Sequence, residues 1–323
     1  MIPPELPAEL RGALEAKLHG LARDEISARA ARISKTYRDG GSSSTIRSGA
    51  DALAYAIVRM PATYAAVTAS LNALVELRPD FAPASLLDVG AGPGTASWAA
   101  AETFASLHKF MLLDINAALQ TLAQDLAREH ARLTAMTCRR DAGAFDEAEP
   151  ADLVIASYLI GEVGEAERRT LTERLWAKTR DTLLIVEPGT PAGYARLIAL
   201  RHQLIAAGAH VAAPCPHDGQ CPLQAPDWCH FTQRLPRLRA HMQLKGAELP
   251  FEDEKFSYVV LTRAPVGQRY SRLLAQPVVS KVEVSAKLCT TDGLHIAKVP
   301  HRDKTAYAKA RRWRWGDAVM EEG

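Results

Sequence analysis

Four short apolar runs, separated by helical segments, constrain the fold of this chain more than any other feature. The runs lie at residues 86–89, 110–113, 153–156 and 183–186. They lack polar alternation, which is typical of parallel strands covered on both faces. The segments 95–107, 117–132 and 165–179 have the composition of helices. This alternation predicts a doubly wound α/β domain.

The regions flanking this domain differ from it in composition. The first 80 residues are rich in Ala, Leu, Glu and Arg and predict helices over 7–20, 22–38 and 50–77, with a bend near Pro61. We therefore expect four parts. They are a helical N-terminal region (1–80), a Rossmann-like core (81–208), a cysteine loop with the last core strands (209–265) and a C-terminal extension (266–323).

A glycine-rich loop follows the first apolar run, with the sequence Asp88-Val-Gly-Ala-Gly-Pro-Gly-Thr. Glycines at 90, 92 and 94 allow a tight turn and close approach of a ligand to the backbone. A dinucleotide is one candidate ligand, but its usual G-x-G-x-x-G spacing is absent and Asp88 would repel a pyrophosphate. S-adenosylmethionine has an ammonium group and no phosphate, and we favour it. The predicted cofactor-binding residues are Asp88, Gly90, Gly92, Gly94, Asp114 for the ribose, and Asp141 for the adenine.

The end of the fourth apolar run is the expected position of substrate-side residues. The Asn/Asp-Pro-Pro-Tyr motif of amino-group methyltransferases is absent there, and so is a Pro-Cys nucleophile. Tyr158 and Glu162 are the candidate catalytic residues, with catalysis mainly by positioning of the reactants.

Three cysteines fall within fifteen residues, at 215, 221 and 229, in a segment with several prolines. Metal ligation is the main candidate function because core cysteines do not cluster and disulfides are rare in reducing compartments. The gaps between the cysteines match no common zinc motif. Iron–sulfur clusters take four thiolates, so a fourth ligand is required. The candidates are Cys138, Cys289, His217 and His230, and we favour Cys289 because it lies in a turn-bearing stretch.

Charge is distributed unevenly along the chain. Residues 229–323 contain 17 Lys and Arg against 10 Asp and Glu, although the whole chain carries a net charge of only +2. The segment 301–315 interleaves basic residues with Tyr307, Trp313 and Trp315. Cations neutralise phosphates and aromatic rings stack on unpaired bases, so this segment predicts contact with RNA. The predicted RNA-binding residues are Arg302, Lys304, Arg311, Arg312 and Arg314.

Three motifs together resemble the ribosomal small-subunit methyltransferase-like family. They are the Arg-Met-Pro-Ala-Thr-Tyr stretch at 59–64, the glycine loop with Ser-Tyr-Leu-Ile-Gly-Glu at 157–162, and Cys-Pro-His-Asp-Gly-Gln-Cys at 215–221 with Trp-Cys-His-Phe at 228–231. The resemblance implies a class I S-adenosylmethionine methyltransferase fold and a [4Fe–4S] cluster. Its ligands would be Cys215, Cys221, Cys229 and Cys289. It also implies association with small-subunit ribosomal RNA or the immature small subunit.

These observations lead to one main functional hypothesis and two alternatives. The main hypothesis is a protein that binds S-adenosylmethionine and a [4Fe–4S] cluster and acts on ribosomal RNA as a methyltransferase. The alternatives are a non-catalytic assembly factor and a zinc-binding methyltransferase for small molecules. The first residues resemble neither a signal peptide nor a transit peptide, and no apolar run is long enough to span a membrane. We therefore expect a monomer in a bacterial cytoplasm, without a membrane partner.

Overall fold

Three helices precede the first strand, as the composition predicts. In the structure, a computed structural model that describes residues 1–140, 143–237, 242 and 249–320, they are α1 (Ala8–Leu18), α2 (Arg23–Arg38) and α3 (Gly49–Leu77). Helix α3 begins after Ser48, whose hydroxyl accepts a hydrogen bond from the Asp51 backbone N–H over 3.2 Å. Such a cap satisfies one of the unpaired donors of the first turn. Pro61 lies inside α3 without ending it, and most side chains of this helix are buried.

The main sheet contains the predicted apolar runs. Its strands are β1 (Ser85–Val89), β2 (Lys109–Leu113), β3 (Thr137–Arg139), β4 (Ala151–Ser157), β5 (Thr179–Pro188), β6 (His210–Ala213), β7 (Phe231–Pro236) and β8 (Phe251–Thr262). Strands β1 to β5 pair in parallel. Strand β8 pairs antiparallel with β5, β6 and β7. The sheet is therefore mixed, with a parallel half and an antiparallel half.

Helices connect the parallel strands and cover both faces of the sheet. They are α4 (Thr95–Thr103), α5 (Ala117–Leu126), α6 (Ala144–Glu147), α7 (Glu165–Ala177) and α8 (Pro191–Ala206). One apolar core lies between the sheet and α3, α4 and α5, and the other lies between the sheet and α7 and α8. Alternate residues of β1 enter each core: Leu86 packs in the first and Leu87 in the second. This two-sided burial explains why the strands lack polar alternation.

The strand order of the main sheet is β3-β2-β1-β4-β5-β8-β6, with β7 beside β8. The order reverses between β1 and β4, because β2 and β3 are added on one side of β1 whereas β4 and β5 are added on the other side. In doubly wound sheets, ligands bind outside the carboxyl ends of the strands at such a reversal. The glycine loop leaves the carboxyl end of β1 and therefore lies at this point.

A second, smaller sheet forms the C-terminal part of the chain. Its strands are β9 (Ser271–Leu273), β10 (Val278–Val279), β11 (Glu283–Thr290), β12 (Gly293–Pro300) and β13 (Ala318–Val319), with helix α9 (Lys304–Ala310) before the last strand. The pairings are antiparallel, and β11 pairs with β9, β10 and β12. One face of β11 is apolar, since Val284, Ala286 and Leu288 are buried. Its other face carries Cys289.

Candidate functional site

The glycine loop runs from the end of β1 to the start of α4 and has a left-handed backbone at each glycine. The φ angles are +70° at Gly90, +54° at Gly92 and +80° at Gly94. A Cβ on Gly90 would lie 2.7 Å from a methyl group of Leu159. Glycine is therefore favoured at position 90 by its φ angle, and a Cβ there would also displace the end of the Leu159 side chain.

Asp88 is fully buried beneath this loop. Its Oδ2 accepts hydrogen bonds from the Ser97 backbone N–H (3.1 Å) and hydroxyl (2.7 Å), which ties β1 to the first turn of α4. Its Oδ1 is also buried and has no hydrogen-bond partner in the described part of the chain. Burial raises the pKa of Asp88 to about 7, and the Ser97 contacts partly offset this effect. The side chain therefore positions the loop and leaves one buried carboxyl oxygen unpaired among the described residues.

Asp114, directly after β2, connects the second strand to the glycine loop. Its Oδ2 accepts a hydrogen bond from the Gly92 N–H and its Oδ1 accepts one from the Asn116 N–H, each over 2.7 Å. Burial raises the pKa of this half-buried carboxyl group. Of the predicted cofactor residues, Asp88, Asp114 and the three glycines meet at one edge of the sheet, whereas Asp141 lies outside the described residues.

The two candidate catalytic residues bond to different partners. Tyr158 follows β4 with a φ of +57°, which is unusual for a residue with a Cβ, and its hydroxyl donates to Glu254 Oε1 over 2.8 Å. Arg59 lies 3.7 Å from the same carboxylate oxygen. Glu162 Oε2 instead accepts a hydrogen bond from the Ser43 N–H over 3.0 Å. Tyr158 therefore belongs to a polar group with Arg59 and Glu254.

Sequence reasoning did not assign a role to Arg59 or Glu254. Arg59 begins one of the motifs that carried the family resemblance, so a signal for it was present. Glu254 lies in the acidic stretch at 252–254 on β8, which resembles an ordinary solvated strand. Glu254 pairs with Gln233 of β7, and the β8 residues that follow it, from Phe256, pair with β5, the strand next to β4. The sequence does not show these pairings.

Cysteines from distant parts of the chain line one cavity. Cys215, Cys221 and Cys229 come from the long connection between β6 and β7, and Cys289 comes from β11. Cys138 does not line this cavity and lies in β3, at the opposite edge of the main sheet. Within the described parts of the chain, no three or more His, Cys, Asp or Glu side chains are grouped so that they could hold a metal ion.

The cavity is electrostatically unusual because it combines thiols with buried cations. Burial and the neighbouring Cys215 and Cys221 raise the pKa of Cys289 to about 12. Burial also raises the pKa of Cys215 and, more strongly, that of Cys229. These thiols are therefore protonated at neutral pH unless a ligand replaces their protons. Arg201 and Arg272 also line the cavity and are almost inaccessible to solvent, with exposed fractions of 1% and 3%.

The histidines considered as alternative ligands have other contacts. His217 Nε2 lies 3.9 Å from the Cys289 sulfur, at the limit of a hydrogen bond to sulfur. His230 is packed between two tryptophan rings, stacked on Trp228 at 4.8 Å and edge-on to Trp315 at 4.7 Å. Trp315 belongs to the C-terminal segment, so this aromatic stack connects the cysteine loop to it.

The basic C-terminal segment exposes its cations but not all of its aromatic rings. The predicted RNA-binding residues have exposed side chains; they are Arg302, Lys304, Arg311, Arg312 and Arg314. Tyr307 is buried, and its hydroxyl donates to the Ser280 carbonyl over 2.5 Å. Trp313 packs against the apolar face of the second sheet. The expectation that these rings stack on bases is therefore wrong for Tyr307, because its ring fills the small core beneath α9.

The fold and site define a class of protein: a doubly wound α/β protein with a glycine loop at the carboxyl end of β1 and a separate cavity lined by four cysteines. The chain belongs to the family described as mitochondrial small ribosomal subunit Rsm22, whose sequence profile matches residues 49–320. This assignment confirms the family resemblance. None of the described helices is long and apolar enough to cross a membrane.

Curated relatives agree with this family. The human protein named ribosome assembly protein METTL17, mitochondrial, is 29% identical over 303 residues, covering 83% of this chain and 62% of the relative. Rsm22-cox11 tandem protein 2, mitochondrial, of Schizosaccharomyces pombe is 26% identical over 328 residues, covering 84% of this chain and 43% of the relative. The chain thus spans less than two thirds of the length of either relative. The bacterial cytoplasmic location and the monomeric state stay predictions.

Two solved methyltransferase structures resemble parts of this chain weakly. Magnesium protoporphyrin IX methyltransferase from Synechocystis PCC 6803 with bound S-adenosylmethionine has a TM-score of 0.42 at 13% identity, covering 76% of this chain and 99% of that one. The plantazolicin methyltransferase BpumL has a TM-score of 0.42 at 12% identity, covering 77% of this chain and 98% of that one.

Proposed function

We propose that this protein binds S-adenosylmethionine and a [4Fe–4S] cluster and acts on small-subunit ribosomal RNA during ribosome assembly. The observation that carries this proposal is the cavity in which four cysteines, brought together from β11 and the loop before β7, meet two buried arginines. Membership of a family named for the small ribosomal subunit, and a relative named as a ribosome assembly protein, support the proposed partner.

The proposed S-adenosylmethionine site is the glycine loop at the carboxyl end of β1. The three glycines would let the methionine part approach the backbone, and Asp114 would hold the ribose. The free, buried Oδ1 of Asp88 suits a cationic amino group, whereas an ionised Asp88 would repel a pyrophosphate. Asp141 would contact the adenine. When bound, the cofactor supplies an activated methyl group.

The proposed cluster ligands are Cys215, Cys221, Cys229 and Cys289. Four thiolates match the requirement of a [4Fe–4S] cluster. All four cysteines line the same cavity, and no carboxylate side chain of the described residues lines it with them. The support for a cluster is therefore the chemistry of the donor set, which is all thiol.

The proposed RNA contact is made by the exposed cations around α9: Arg302, Lys304, Arg311, Arg312 and Arg314. Because Tyr307 and Trp313, which lie between them, pack against protein, the contact would rest on phosphates rather than on stacked bases. Such binding positions a protein on RNA without reading sequence. It suits a protein that recognises an assembling ribosomal subunit as a whole.

Methyl transfer to ribosomal RNA is a second candidate function, and one observation favours it. Tyr158 holds a left-handed backbone at the carboxyl end of β4, the strand next to the glycine-loop strand, and its hydroxyl is paired with Glu254. Backbone strain of this kind clusters at active sites. In this function Tyr158 and Glu162 would position the acceptor.

Three measurements on protein purified without oxygen test these proposals. Iron and acid-labile sulfide in equal amounts, with little zinc, are expected if the cluster is present. Calorimetric titration with S-adenosylmethionine is expected to show binding that Asp114→Ala weakens. Incubation with methyl-labelled cofactor and immature small subunits then separates the two functions. Label in the RNA shows methyl transfer, whereas stable association without label shows assembly without it. Protein that neither binds the cofactor nor contains iron would overturn the proposal.

A further inference from the structure

Arg201 and Arg272 are two of the most deeply buried charged side chains in the described chain, and both face the cysteine cavity. Arg201 lies on α8 and Arg272 lies on β9, so the two cations reach the cavity from different layers of the structure. Neither guanidinium group belongs to an ion pair among the described residues; Glu187 and Asp218 pair with Arg196 and Arg269 instead. Buried charges are normally paired, so two unpaired cations beside one cavity require an explanation.

The hydrogen bonds of these arginines are incomplete. Arg201 Nη2 donates to the His217 carbonyl over 2.7 Å, but its Nε and Nη1 are buried without a hydrogen-bond partner of normal length among the described residues. The guanidinium group also interacts with the side chain of Cys215, one of the proposed cluster ligands. Arg272 donates to the carbonyls of Pro214 (3.3 Å) and Gly316 (2.9 Å). Carbonyl groups satisfy donors but do not neutralise a cation. Two positive charges therefore remain in a region of low dielectric constant.

The described side chains that line the cavity include no carboxylate, so they do not supply the missing negative charge. An oxidised [4Fe–4S] cluster with four thiolates, in contrast, carries two negative charges in total. The charge of the two arginines is equal and opposite to the charge of the ligand proposed above.

We propose that Arg201 and Arg272 are charge-compensating residues that retain the anionic cluster in the cysteine cavity. This inference rests on the proposed cluster. It implies that the arginines have opposite effects in the two states of the protein. In the loaded protein they stabilise the bound anion, whereas in the metal-free protein they are unpaired buried charges that favour unfolding. A purely structural arginine would stabilise both states.

The experiment compares Arg201→Met and Arg272→Met with the wild type, each loaded with iron and sulfide and then stripped by a chelator. In the loaded state each variant is expected to lose iron to the chelator on the order of tenfold faster. In the metal-free state each is expected to have an unfolding equilibrium constant lower by on the order of tenfold. Arg201→Lys, which keeps the positive charge, is expected to retain iron nearly as well as the wild type.

Arg132→Met is the matched control. Arg132 also donates to backbone carbonyls, those of Ala101, Phe104 and Leu107, but it does not line the cysteine cavity. This variant should destabilise the loaded and metal-free proteins alike. The inference is overturned if Arg201→Met behaves as this control does in protein whose wild type holds iron. A wild type without iron and sulfide would overturn the proposed cluster and this inference together.

Discussion

The hydroxyl of Tyr194 donates a hydrogen bond to the sulfur of Cys221 over 3.1 Å. Tyr194 belongs to the first turns of α8, so the bond connects the helix that follows β5 to the cysteine loop. Both residues also line a groove that reaches the surface beside the loop. Cys221 is thus the proposed cluster ligand that lies nearest this groove, and Tyr194 lies beside it between the cavity and the groove.

Tyr194→Phe tests what this hydrogen bond contributes. A hydrogen bond to a charged group contributes about 1.5–3 kcal/mol, and Cys221 would be a thiolate in the loaded protein. We expect the variant to release iron to a chelator at least about tenfold faster, because the thiolate loses its donor. Tyr270→Phe is the control, since Tyr270 is similarly half-buried but does not line the cavity. Equal release rates for the two variants would contradict the prediction.

Cys221→Ser tests whether the cysteine centre holds the C-terminal sheet on the main sheet. Metal-binding free energy contributes to folding when the ligands come from separate segments. We expect reduced iron content and faster amide exchange throughout 271–319, not only in the loop at 214–230. Cys138→Ser is the matched control and should leave both properties unchanged, since Cys138 lies in β3. Faster exchange confined to the loop would show that the cluster does not fasten the extension.

The parallel half of the fold could be predicted because its strands are buried on both faces and so form continuous apolar runs. Strands β1, β2, β4 and β5 contain the predicted runs, and α3 starts and ends within one residue of its predicted bounds. The predicted helix 117–132 is too long. Helix α5 ends at Leu126, and His130 Nδ1 then accepts hydrogen bonds from the N–H groups of Arg132 and Leu133, which form a turn.

The second sheet could not be assembled from the sequence. Alternating burial along β11 gives a signal of period two, but nothing local shows that β11 pairs with β9, β10 and β12.

The residues around the cysteine cavity could be predicted only in part. The spacing of the cysteines predicts a metal site, whereas Arg201 and Tyr194 lie on a helix whose sequence does not show which loop covers it. The prediction that the Tyr307 ring stacks on RNA bases is wrong because it relies on the basic residues that surround Tyr307 in the sequence. Tyr307 shares a helix face with Ala310, three residues on, and that face is buried.

Asp88 predicts a dependence of stability on pH. Its pKa is raised to about 7 in the folded protein, by burial above all, from an ordinary value near 4. The folded state therefore holds a proton that the unfolded state has lost, and the free energy of unfolding should fall as pH rises from about 4 to about 7. The full effect is on the order of 4 kcal/mol. Urea unfolding across this range should show the decline in the wild type.

Two variants identify Asp88 as the source of this decline. Asp88→Asn should remove this contribution to the decline, since an amide does not ionise. Ser97→Ala should extend the decline above about pH 7, because the Ser97 hydroxyl donates to the carboxylate and lowers its pKa in the folded state. A wild-type pH dependence that Asp88→Asn leaves intact would show that another buried group is responsible.

Replacement of Arg311, Arg312 and Arg314 by Ala tests whether the exposed cations after α9 bind RNA. Each arginine that neutralises a phosphate strengthens binding by releasing counterions. Its removal should therefore weaken binding and reduce the slope of log K against log salt by about 0.7–0.9. The measurement is a series of binding titrations with small-subunit ribosomal RNA at several salt concentrations.

The matched control for this triple variant replaces three exposed cations of the first two thirds of the chain, Arg11, Lys109 and Arg180. This control changes the net charge equally but leaves the C-terminal segment intact. If both triple variants flatten the slope by the same amount, the attraction comes from net charge rather than from a defined surface. If only the C-terminal variant flattens the slope, the RNA phosphates bind to the basic segment that contains Arg311, Arg312 and Arg314.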